Sequence, residues 1–180
     1  MHLDSAEQTA ALYSEAYSMK PKPFNTEQYN GDERYVRDAS TGFIWHKCQT
    51  RTLYADTDRS AVVYHSNYLR YYELGRASLM RDNNYPYFDI EKSGFIYPII
   101  EIGIKYYRPL FYDDLMNIYT HPGKMERVKL QFDYIITLDK SDEIICIGFT
   151  KHCASNASGT PVAIDYKTVE LWKNFPQCKK

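Results

Sequence analysis

Hydrophobic and polar positions along this chain change period twice. Over residues 43–54 the chain is rich in β-branched and aromatic side chains, which predicts a strand. Over 66–82 the positions Tyr68, Tyr71, Tyr72, Gly75 and Leu79 recur three and four residues apart. That spacing predicts a helix with one covered face. Ser66 is a helix-starting residue type, and Asn83-Asn84-Tyr85-Pro86 stops the helix. The period then drops to two. Ile100, Ile102, Ile104 and Tyr106 alternate with Glu101, Gly103 and Lys105. Leu130, Phe132, Tyr134, Ile136 and Leu138 form a second alternating run, and Ile145, Ile147 and Phe149 a third. Arg108-Pro109 and Asp113-Asp114 bracket a turn before a strand over 115–120. Asp139 to Asp142 and Ser155 to Gly159 are further turns, and a last strand is predicted over 162–171.

The predicted order is strand, long helix, then four or five strands joined by hairpin-like turns. That is the α+β class: an antiparallel sheet with the helix on one face. A sheet half-covered by its own helix must hide its remaining face or edge elsewhere, which points to an oligomer. Residues 1–42 are polar and mixed and read as an N-terminal extension, partly helical or mobile, ahead of a domain over 43–180. Leu12, Tyr13, Ala16 and Tyr17 give 4–19 helical spacing, Lys20-Pro21-Lys22-Pro23 breaks it, and Asn30-Gly31-Asp32 reads as a turn.

At 180 residues there is room for one ordinary domain. The 18 tyrosines suit strands, interfaces and half-wet pockets, because each ring carries a polar tip. A formal net charge of −1 lacks the basic footprint expected for nucleic acid. No apolar run approaches the roughly 20 residues of a membrane span. Asp4, Glu7 and Glu15 interrupt any secretory signal. Cys48, Cys146, Cys153 and Cys178 form no CxxC pair, and the five histidines are dispersed. No metal or redox cofactor is implied, and the simplest expectation is reduced thiols in the cytoplasm.

The segment with most chemical content runs from Tyr54 through Asp56-Thr57-Asp58 and Val62-Val63-Tyr64-His65 to Ser66-Asn67-Tyr68. A strand delivers Asp58 to a loop, and His65 follows just before the helix. The first turn of a helix has unpaired N–H groups and a partial positive charge, so it can hold a developing oxyanion. A carboxylate facing it could attack an acyl carbon or activate a water. Spacing alone leaves plainer readings open. Asp56 and Asp58 are also turn and cap residues, His65 a packed or surface histidine, and Tyr54 a strand aromatic.

This segment resembles the signature of the 4-hydroxybenzoyl-CoA thioesterase and YbgC-like acyl-CoA thioesterases. The resemblance rests on Tyr54, Asp56-Thr57-Asp58, Val62-Val63-Tyr64-His65, Asn67-Tyr68 and Glu73-Leu74-Gly75-Arg76. Arg108-Pro109-Leu110 with Tyr112-Asp113-Asp114 also matches that family's next turn, and the likeness covers about residues 45–170. It implies a hotdog fold, a long central helix wrapped by an antiparallel sheet. It further implies dimers or tetramers with sites at the subunit interface, and hydrolysis of an acyl-CoA thioester. It carries the catalytic carboxylate onto Asp58, as nucleophile or general base, with Tyr54 orienting it. His65 helps place the thioester or the water, and its N–H is the expected oxyanion donor. Tyr64, Ser66, Asn67 and Glu73 are the expected substrate-binding positions. Glu73 is a reserve catalytic carboxylate, although an ion pair with Arg76 three residues on is the plainer expectation.

Two departures stand out. The family's glycine-rich pair is Ser60-Ala61 here, and a helix position that the family fills with alanine is Gly75. Three other functions remain to be weighed: a hotdog dehydratase, whose histidine motif is missing; a non-catalytic acyl-CoA sensor; and a thioesterase for acyl carrier protein.

Overall fold

The computed structural model of the chain describes residues 21–139 and 141–176. The predicted helix over 4–19 lies outside those residues. Nine strands are present among the described residues: β1 Thr26–Tyr29, β2 Asp32–Asp38, β3 Ile44–Arg51, β4 Phe95–Ile96, β5 Ile99–Tyr106, β6 Leu115–Met125, β7 Lys129–Leu138, β8 Ile144–Cys153 and β9 Ser155–Asn156. The helices are α1 Asn67–Asp82, α2 Tyr87–Lys92 and α3 Tyr166–Asn174.

Seven strands form one antiparallel sheet in the order β1-β2-β3-β6-β7-β8-β5, and β4 pairs with β9. The helix α1 lies across β3, β6 and β7. Its covered face is Tyr68, Tyr71, Tyr72, Gly75, Leu79 and Met80, the sequence-derived stripe plus one residue. Side chains of this size stabilise by roughly 1.5–3 kcal/mol each when fully buried. The Tyr72 ring stacks on Tyr134 with centroids 4.3 Å apart. Gly75 lets the helix approach closely: a Cβ there would lie 2.5 Å from Thr120 Oγ1 and 2.7 Å from Ile118 Cγ2.

Three sequence expectations need revision. First, residues 162–171 do not form a strand. Asp165 caps α3 by accepting the Thr168 N–H at 2.9 Å, and Tyr85 and Tyr97 donate their hydroxyls to its carboxylate at 2.9 and 2.7 Å. Thr168, Leu171 and Trp172 are then buried at helical spacing. Second, the leading extension contributes β1 and β2 to the sheet. Asn30 and Gly31 both take positive φ, 52° and 74°, which suits the tight turn of a hairpin. Just ahead of β1, Phe24 packs edge-on against Trp45 and Tyr119 on the sheet's outer face. Third, three of the four isoleucines of β5 are not covered, and Ile104 alone packs partly against the core. Ile99, Ile100 and Ile102 are 47%, 50% and 41% exposed, on an edge strand whose outer side has no partner among the described residues.

Candidate active site

The loop between β3 and α1 is built around Asp56. Its carboxylate is buried and accepts from Leu53 N–H at 2.9 Å, Arg70 Nη1 at 3.0 Å and the Tyr71 hydroxyl at 2.9 Å. Its carbonyl accepts Tyr64 N–H at 2.9 Å and Asn67 Nδ2 at 2.8 Å. One residue thus ties the loop to the first turn of α1. A buried carboxylate is tolerated when hydrogen-bonded this fully. Burial and the neighbouring carboxylate raise the Tyr71 phenol well above its ordinary range, so it stays a donor.

That anchor positions Asp58 on a tight exposed turn. Asp58 N–H donates to Val62 O at 2.9 Å, and its Oδ1 accepts Ser60 N–H at 2.7 Å. Ala61 closes the turn with φ 60°, a left-handed conformation that glycine adopts more readily. Alanine in place of glycine thus holds this turn under backbone strain. Val63 N–H then donates to Leu110 O at 2.8 Å, joining the turn to the segment that follows β5.

Asp58 and His65 line one open groove of about 190 Å³, together with Val62, Tyr68, Tyr106 and Arg108. The N–H groups of His65 and Ser66, at the start of α1, have no acceptor among the described residues. Ser66 stands at the cap position without a side-chain capping bond. Tyr106 donates its hydroxyl to His65 O at 2.7 Å. Arg108 Nη2 lies 2.8 Å from Glu143. Burial pushes the Tyr68 phenol upward, keeping it neutral beside the groove.

The other expected positions divide. Tyr64 is 44% exposed, with its ring 4.2 Å from that of His65. Asn67 spends its side-chain amide on the Asp56 carbonyl. Tyr54 is 79% exposed and sits edge-on to Tyr112 at 5.9 Å, outside the groove. Glu73 is exposed on α1 and also outside it. It has no ion pair with Arg76 among the described residues. Arg76 Nη1 turns instead to the buried His152 ring, 3.0 Å from Nε2. Sequence reasoning read Asp56 as no more than a motif position or a turn or cap residue, and it gave Tyr106 and Arg108 no role in the site. The cue for the latter pair was their place just before Pro109, where β5 ends beside the helix start.

Comparison with known proteins fits this geometry. Residues 52–171 match the model of the thioesterase-like superfamily. A protein of Aquifex aeolicus is 31% identical over 132 residues, which is 73% of this chain and 98% of that relative. The acyl-CoA thioester hydrolase YbgC of Escherichia coli is 29% identical over 52% of this chain and 67% of its own length. Among solved structures, the DHNA-CoA thioesterase of Staphylococcus aureus superposes with a TM-score of 0.68 at 26% identity, covering 72% of this chain and 89% of that one. The family match spans the Asp58 loop, α1 and the strands from β4 to β9, and by it this chain belongs to the thioesterase-like superfamily.

Proposed function

We propose that this protein hydrolyses acyl-CoA thioesters, with Asp58 as the central carboxylate. The observation that carries the reading is one groove holding both Asp58 and His65, beside helix-start N–H groups that have no acceptor among the described residues. A thioester carbonyl placed there has a carboxylate on one side and amide donors for the developing oxyanion on the other. As general base, Asp58 takes a proton from water, whose oxygen adds to the acyl carbon. The C–S bond then breaks, and the CoA thiolate leaves with that proton. As nucleophile, Asp58 itself adds, the thiolate leaves, and water cleaves the resulting anhydride. Single turnover in ¹⁸O-water tests the second route, because label enters Asp58 only when water attacks the aspartyl carbonyl of that anhydride.

In this reading the fold is a hotdog, with α1 as the central helix and catalysis in 43–180. His65 and Ser66 supply N–H donors, Asn67 holds the loop through Asp56, and Tyr64 borders the acyl or pantetheine arm. The exposed isoleucines of β5 mark the edge through which two copies pair, and such pairing supports Tyr54 and Glu73 acting at a completed site. A thiol-release assay over acetyl- to palmitoyl-CoA, with benzoyl and phenylacetyl forms, tests the proposal. Turnover on part of the panel supports it. Tight CoA binding with no turnover on any member overturns it in favour of a binding module.

A further inference from the structure

The hydroxyl of Tyr106 donates to the carbonyl of His65 at 2.7 Å, bridging the end of the edge strand β5 to the start of α1. That carbonyl belongs to the peptide linking His65 to Ser66. A peptide is planar, so fixing its C=O fixes the direction of the Ser66 N–H on the opposite side. The Ser66 N–H has no acceptor among the described residues, and His65 lines the groove with Asp58. A hydrogen bond accepted by a peptide carbonyl also polarises that peptide's own N–H and strengthens it as a donor. The Tyr106 ring is itself held, edge-on to Tyr68 with centroids 5.1 Å apart, and in sheet register with Cys146. The hydroxyl is therefore delivered by two rigid elements.

From this geometry we infer that Tyr106 is a positioning residue, which orients and polarises the His65–Ser66 peptide so that Ser66 N–H serves as an oxyanion donor. The inference rests on the hydrolysis reading and adds to it the support of one of its donors. Tyr106 touches no reacting atom. Its effect must appear when charge develops on the thioester oxygen, in kcat, and leave substrate binding alone.

Tyr106→Phe keeps the ring and its packing and removes one hydroxyl. We expect kcat to fall about five- to tenfold, the usual size for loss of one hydrogen bond, with KM within twofold and an unchanged melting temperature. The amide ¹⁵N resonance of Ser66 should move upfield, reporting the lost bond without turnover. Asp58→Asn is run beside it. If Asp58→Asn abolishes turnover while Tyr106→Phe keeps full kcat, the inference is wrong and the hydrolysis reading stands. The same holds if KM alone changes, or if the Ser66 resonance does not move. If the wild-type protein releases no thiol, the hydrolysis reading fails and takes this inference with it.

Discussion

Replacing Gly75 by alanine sets two effects of known size against each other. In an isolated helix the change stabilises by about 1 kcal/mol. In this fold the new methyl would lie 2.5 Å from Thr120 Oγ1 and 2.7 Å from Ile118 Cγ2. Carbon atoms in contact normally sit about 3.5–4.0 Å apart. Thr120 and Ile118 are fully buried on β6, inside the sheet, so neither side chain has room to swing away. Relief requires lifting α1 off the sheet, which would also loosen the Tyr72–Tyr134 stack. Overpacking of this kind costs about 1–3 kcal/mol, so the net expectation is destabilisation of up to about 2 kcal/mol. Urea unfolding should show a lower midpoint at unchanged slope, and the melting temperature should drop about 2–4 °C per kcal/mol. An equal or higher midpoint would refute the reasoning, since it would mean that α1 moves off β6 freely.

Two further outcomes follow from local features. Ala61 holds a left-handed φ of 60°. Ala61→Gly removes strain of about 1–2 kcal/mol but adds unfolded-chain entropy of about 0.4–1 kcal/mol, so a small rise in melting temperature with unchanged kcat is expected. A fall of several degrees would contradict this. Burial, then the adjacent Arg76 guanidinium, hold the His152 imidazole down at about 4. The unfolded chain takes up that proton near pH 6.5 and the folded chain only near pH 4. This contribution is therefore complete above pH 6.5 and is lost as pH falls toward 4, by about 3 kcal/mol in total. Burial lowers His46 and His121 as well, adding the same sign. Urea midpoints taken from pH 7.5 to 4.5 should fall steadily, and a rise across that window would sink the assignment.

Much of the fold was legible because the covered side of α1 and the alternation of β7 and β8 are set by burial, which sequence periodicity reports directly. The misread element was α3. The spacing of Val162, Ile164, Val169 and Leu171 does not distinguish a strand from a short helix, and the capping role of Asp165 depends on Tyr85 and Tyr97, distant in sequence. The β1–β2 hairpin was hidden in a polar segment, since its strands lie at an edge and bury few side chains. Within the site, Asp58 and His65 were legible through a contiguous motif. Tyr106 and Arg108 were not, because β5 reaches the groove only through its pairing with β8. Asp56 looked like a turn residue until Arg70 and Tyr71, one helical turn into α1, were seen to close on it.

The central claim is that the Asp58 carboxylate carries hydrolysis. The direct test is Asp58→Asn, with thiol release measured on the best acyl-CoA substrate and CoA affinity measured alongside. The side chain is exposed and accepts only the Ser60 N–H among the described residues, so the fold should not depend on its charge. The account expects kcat to drop by several powers of ten, with CoA affinity and melting temperature unchanged. Turnover near the wild-type rate would contradict it and move the chemistry to another carboxylate, with Glu73 the next to test.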